Sequence, residues 1–199
     1  LYIHGIPVLV DGGRITYRNN DWGRFGCHPE AHNTILVDGC GLVPRRLKRY
    51  PVSYSEFHFS IDVCKTNEIF EIVISASGFR RIGHDIVWKR QILLSEKKFE
   101  VVDELDGTGN HQFNSFFHWA NELTITGSFT KNFSVTGQGY SGIATVRTPT
   151  PVSGRLHEGK NYPLGWQVVS YGNAVPATTM ELSGRVALPA QTYFCIYWE

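Results

Sequence analysis

Residues 86–105 read IVWKRQILLSEKKFEVVDEL, and this stretch decides the fold. Residues 86–94 are rich in β-branched and large apolar side chains, and so are residues 98–105. The two runs are joined by Ser95-Glu96-Lys97. Two such runs around a short polar connection predict an antiparallel hairpin. Outward from it the same grammar repeats. Residues 57–63 and 69–75 alternate apolar and polar with period two, as half-buried strands do. Residues 113–119, 123–125, 133–136, 142–147, 166–171, 177–182 and 192–198 add further short runs of strand formers. On the N-terminal side, residues 1–10 read as an extended entry closed by Asp11-Gly12-Gly13. Residues 34–37 then form a short apolar run that meets Asp38-Gly39, a strong hairpin signal. No amphipathic helix of about ten or more residues is evident.

About a dozen strands separated by Gly, Asn and Pro predict an all-β fold, a large antiparallel two-sheet β-sandwich of the supersandwich type. The 199 residues suit a single domain, 1–199, with no internal repeat. Residues 148–163, rich in Pro, Gly, Ser and Asn, read as one long loop. The composition is 42% hydrophobic and only 19% charged, which excludes a disordered chain. A formal net charge of +1 gives no global pull toward nucleic acid or an anionic membrane, so neither is an expected partner. No apolar run approaches the ~18 residues of a membrane span. Cys27, Cys40, Cys64 and Cys195 contain no CxxC pair, so a zinc ribbon or thioredoxin-type motif is unsupported, while one or two disulfides remain open. Arg45-Arg46-Leu47-Lys48-Arg49 is the one basic cluster, suited either to an acidic polymer or to a solvated loop.

The N-terminal segment carries the most specific pattern. Pro7-Val8-Leu9-Val10-Asp11-Gly12-Gly13 leads to Tyr17, then Arg24-Phe25, then Ala31-His32-Asn33-Thr34-Ile35-Leu36-Val37-Asp38-Gly39. This resembles the opening of the C-terminal β-sandwich domain of heparinase II/III-like polysaccharide lyases. Weaker pieces follow in the family's order: Phe99-Glu100-Val101-Val102-Asp103, Phe116-Phe117-His118, and Gly165-Trp166 with Tyr171-Gly172. The chain departs from the heparinase II and oligoalginate lyase pattern of two histidines one residue apart. Only His32 stands in that region, with His28 four residues earlier, so heparinase III-like proteins are the nearer match.

The resemblance implies one part of a lyase acting on uronic-acid polysaccharides by β-elimination. It implies that this chain is a fragment of a longer polypeptide, with an N-terminal α/α toroid supplying a Tyr and an Asn or His across the cleft. It also implies a periplasmic or secreted bacterial protein, inactive without that toroid. The resemblance leaves a heparan-type glycosaminoglycan, alginate or a capsular glycan as the acidic polymer. On this chain the matching catalytic position is His32, as base or as neutraliser of the uronate carboxylate. Its competing role is a backbone hydrogen bond at a strand entrance. Substrate-binding candidates are Tyr17, Arg24, His28 and Asn33. Three have a structural alternative: Tyr17 filling the core, Arg24 as a solvated charge, and Asn33 bracing its turn. The spacing of His28 and His32 would suit a helical metal pair, but Pro29 between them argues against a helix. Family members often hold a divalent metal such as zinc or calcium, with His and Asp ligands. Here His32, His84, His118, Asp38 and Asp103 are candidates, and no spacing selects a set. The alternative function is a non-catalytic carbohydrate-binding sandwich, with Trp22, Trp88, Trp119, Trp166 and Trp198 as stacking platforms or as core.

Overall fold

The computed structural model describes residues 1–43, 58–82, 85–129, 132–137, 139–147, 152–160 and 163–199. The basic cluster at 45–49 and His84 lie outside the described residues. The hairpin expected at 86–105 is present as β6 (Val87–Leu94) and β7 (Lys98–Asp106), paired in register from Val87↔Asp106 to Leu94↔Phe99. β4 (Phe59–Lys65) and β5 (Phe70–Ala76) continue the sheet on one side. On the other side lie β16 (Ala190–Trp198), β11 (Tyr140–Arg147), β10 (Asn132–Gly137) and β9 (Thr124–Gly127). The order of this eight-stranded sheet is β4-β5-β6-β7-β16-β11-β10-β9. A four-stranded sheet is ordered β12 (Ser153–His157), β15 (Thr178–Ala187), β8 (Asn110–Trp119), β3 (Ile35–Val37). The strand pairings among the described residues of both sheets are antiparallel.

The core between the sheets follows from alternation. Val101, Phe194 and Ile196 of the large sheet meet Phe117, Met180 and Leu182 of the small one in one buried cluster. Phe117 and Phe194 stack across the sheets with centroids 4.0 Å apart. A second cluster holds Ile35, Val37, Trp88, Leu105, Phe113 and Val186. Arg90 and Asp103 are register partners on β6 and β7, between the residues that feed these two clusters. They are 6% and 2% exposed. Such an inward ion pair survives desolvation only if its hydrogen bonds are complete. Here Arg90 Nε and Nη2 donate to the two Asp103 oxygens, each at 2.7 Å, and Trp88 Nε1 donates to Asp103 Oδ1 at 2.8 Å. The third guanidinium nitrogen, Arg90 Nη1, reaches the carbonyl of Asn33 at 2.5 Å. The core polar pair is therefore an anchor for the loop that precedes β3.

Two expectations need correction. Residues 1–10 are not one strand: β1 (Tyr2–Ile3) and β2 (Ile6–Pro7) form a small hairpin. His4 and Gly5, with φ of 51° and 80°, make its tight turn, which an extended reading of the segment overlooks. The stretch read as a loop at 148–163 contains β12, whose Arg155 and His157 pair with Glu181 and Thr179 of β15. Small and polar residues hid it, because an edge strand with a solvated face needs little apolar content. A further short hairpin, β13 (Trp166–Ser170) with β14 (Asn173–Pro176), stands outside both sheets. The four cysteines are free thiols. No helix among the described residues is long and apolar enough to cross a membrane.

Candidate functional site

The segment between β2 and β3 is built as a chain of small stops. Helix α1 (Asp21–Phe25) starts at Asn20, whose side chain accepts from the Gly23 amide at 2.9 Å. A 3₁₀ turn, Pro29–Ala31, follows, with His28 at its N-cap and His32 at its C-cap. Proline at the first position of the turn fixes its entry, as its missing N–H would have no partner there.

His32 leaves this turn extended and half-exposed. Its Nδ1 meets Asp11 Oδ2 at 2.6 Å. Asp11 is held in turn by the Gly13 amide, which donates to Oδ1 at 2.9 Å. The hydrogen bond to Asp11 raises the His32 pKa above its ordinary value, against the opposing effect of burial; the Asp11 charge and the Gly26 carbonyl add to the rise. Burial acts to raise the Asp11 carboxyl, but the bonds from His32 and Gly13 outweigh it and leave Asp11 below the usual carboxylate range. The pair thus favours imidazolium beside carboxylate, with the ring still open to solvent.

Asn33 shows the bracing role. Its Nδ2 donates to the Val10 carbonyl at 2.8 Å, and its Oδ1 accepts from the His118 amide at 2.7 Å. With Arg90 on its carbonyl, the residue beside His32 is pinned from both sheets. Beneath lies His118, 3% exposed. Its Nε2 must carry the hydrogen, because its partner at 2.9 Å is the Glu30 carbonyl, which only accepts. Nδ1 then accepts from the Thr179 hydroxyl at 3.0 Å, and that hydroxyl accepts from the Gly165 amide. Burial lowers the His118 pKa to about 4, so this histidine is a neutral support.

The remaining candidates spread around this centre. His28 Nδ1 accepts from the Glu30 amide at 3.4 Å and lies 3.3 Å from the Glu30 carboxylate, so it caps its own turn. Arg24 pairs with Asp21 within α1, both well exposed. Tyr17 is 74% exposed, which excludes the core alternative. It stacks with Tyr171, and the Arg14 guanidinium carbon lies 4.4 Å from its ring centroid. Among the tryptophans, Trp88, Trp119 and Trp198 are core, and Trp22 packs edge-on against Trp166 to seat α1 on the β13–β14 hairpin.

Sequence reasoning missed Asp11 as the partner of His32, because a contact across 21 residues leaves no local signal; Asp11 read only as a turn residue. It also missed the acid pair on the outer face of the small sheet. Glu181 accepts from Asn114 at 2.9 Å and meets His157 at 2.8 Å, and His157 holds it below its ordinary range. Burial first, then Glu181, raises the pKa of Glu30.

Among the described metal candidates, His32, His118, Asp38 and Asp103, no ligand set is assembled. Both Asp103 oxygens are taken by Arg90, and both His118 nitrogens are engaged as above. Asp38 bonds His111 Nδ1 at 2.8 Å and the Gln112 amide at 2.9 Å. Among the described residues no three His, Cys, Asp or Glu side chains converge as metal ligands would.

Comparison with known proteins places this architecture. The family model described as "Heparinase II/III-like, C-terminal" matches residues 1–199. A search of curated proteins found no match. Among solved structures, the heparan sulfate lyase HepC from Pedobacter heparinus superposes with a TM-score of 0.77 at 13% identity, over 99% of this chain and 29% of that one. A heparinase III with methylated lysines gives 0.76 at 15% identity, over 100% of this chain and 29% of that one. A further heparinase III structure gives 0.74 at 15%, over 99% and 28%. The chain therefore spans less than a third of the structures it matches, and at these identities the likeness is one of fold.

Proposed function

We propose that this chain, which belongs to the heparinase II/III-like, C-terminal family, is the β-sandwich part of a polysaccharide lyase that cleaves uronic-acid-containing polymers by β-elimination. The observation that carries the reading is the Asp11–His32 pair: a solvent-open imidazole, biased toward its charged form, on a loop fastened to both sheets. Elimination needs the C5 proton of a uronate to become more acidic. A cation at the carboxylate does this by withdrawing charge as the carbanion forms. His32, biased toward its protonated form by Asp11, suits that role better than the role of base. A base removes the C5 proton, the C4–O4 bond breaks as a C4=C5 double bond forms, and an acid protonates O4. These two proton transfers are assigned to an N-terminal α/α toroid of the same polypeptide. Substrate contacts are assigned to Tyr17 and Arg24, with His28 and Asn33 shaping the loop. A bacterial periplasmic or secreted setting is where such polymers would be met.

The test is the ultraviolet absorbance of unsaturated uronate, recorded for the intact polypeptide on heparan-type, alginate and capsular substrates. Absorbance that rises with wild type and falls at least 100-fold with His32→Ala is the expected result. Full activity in His32→Ala would refute the role. The second reading, a non-catalytic carbohydrate-binding sandwich, is favoured by the exposed Tyr17; it requires glycan binding with no unsaturated product.

A further inference from the structure

We propose that Arg14, Tyr17 and Tyr171 form a preformed subsite for an acidic sugar residue, bordering the position held at His32. The identity of the glycan rests on the lyase reading; the subsite itself rests on separate observations. Tyr17 and Tyr171 are 74% and 68% exposed, a large aromatic area to leave in water. Their rings lie nearly parallel, 19° apart with centroids at 6.2 Å. The Arg14 guanidinium stacks on Tyr17, and its Nε donates to the Thr16 carbonyl at 3.2 Å. Among the described residues no carboxylate pairs with Arg14. Its outer nitrogens are available for the bidentate contact that carboxylate and sulfate groups favour. The C–H face of a pyranose ring supplies the apolar surface that a tyrosine ring can cover.

The platform is held rigidly. The amide of Gly172, which follows Tyr171, donates at 2.9 Å to the carbonyl of Ile15, two residues before Tyr17, and the Val168 amide donates to the Gly12 carbonyl. Gly13, at φ 76°, lies so close to Val168 that a Cβ would come within 2.9 Å of it. A preformed site loses less entropy on binding. The platform also borders the His32 pair. A Cβ on Gly26 would meet Arg14 Cγ at 2.8 Å, and the Gly26 carbonyl is the one that favours His32 protonation. Residues 12–26 hold Arg14, Arg18 and Arg24 against Asp21 alone, so the local charge suits an anionic sugar.

The experiment uses the intact polypeptide. Binding of size-defined uronate oligosaccharides and of carboxyl-reduced, unsulfated counterparts is measured by calorimetry, and unsaturated product is followed separately. Tyr171→Ala and Tyr17→Ala are each expected to weaken binding of both ligands about tenfold. Tyr171→Phe should bind as wild type. Arg14→Gln should weaken the acidic oligosaccharide alone, by a similar factor. Tyrosine variants that bind as wild type overturn the subsite, whether or not the protein is a lyase. Equal weakening of charged and reduced ligands by Arg14→Gln overturns the assignment to an acidic sugar. Binding that depends on the tyrosines without any unsaturated product keeps the subsite and removes the lyase reading.

Discussion

Replacing Asp103 by alanine strands a cation in the core. Arg90 is 6% exposed and spends two nitrogens on Asp103; only its bond to the Asn33 carbonyl would remain. Trp88 Nε1 would lose its acceptor as well. Breaking a buried pair from one side costs about 3–5 kcal/mol, since the remaining charge has no compensation. For a domain of this size the urea dependence is about 3 kcal/mol per molar, so the unfolding midpoint should fall by about 1–2 M. Arg90→Met should cost about as much, leaving a buried carboxylate. Combining Arg90→Met with Asp103→Leu removes both charges, so the double variant should lose no more than Arg90→Met or Asp103→Leu alone, a coupling of about 3 kcal/mol or more. Urea titrations followed by circular dichroism, with unchanged slope, provide the measurement. A midpoint shift below about 0.3 M for Asp103→Ala, or additive losses in the double variant, would refute the reasoning.

Asp11→Asn removes the bond that raises the His32 pKa, so the high-pH limb of elimination should move to lower pH. If His32 acts as a base instead, the low-pH limb moves, and the pH dependence of kcat/KM separates the two. His111 has Asp38 on Nδ1 and the Thr108 carbonyl on Nε2 at 3.0 Å, and the Asp38 bond raises its pKa against burial. A histidine raised on folding stabilises fully below its unfolded pKa, about 6.5, and loses that contribution as pH rises through its folded value. Thermal stability should therefore fall as pH rises over this window in wild type, and Asp38→Asn should flatten the dependence; an unchanged profile would contradict the assignment.

The fold was legible where alternation and turn chemistry agreed. The β6–β7 hairpin needed only its two runs and Ser95-Glu96-Lys97. The Asp38-Gly39 turn kept its promise, with φ of 49° and 72° and a bridge from Val37 to Cys40. β12 stayed hidden because its neighbour β15 supplies the pairing that its own composition does not advertise. At the site, the Ala31-His32-Asn33-Thr34 block drew attention to this loop, but gave no sign of what holds it.

By itself, then, the sequence determined the elements that depend on near neighbours: strand alternation, turns, and the family pattern around His32. Tertiary structure alone decided which distant groups meet. Asp11 finds His32, Arg90 finds Asn33 across the core, and Tyr171 finds Tyr17, each between groups distant in the chain. Period-two patterning fixes which face a side chain points to, and carries no information about which strand lies opposite it.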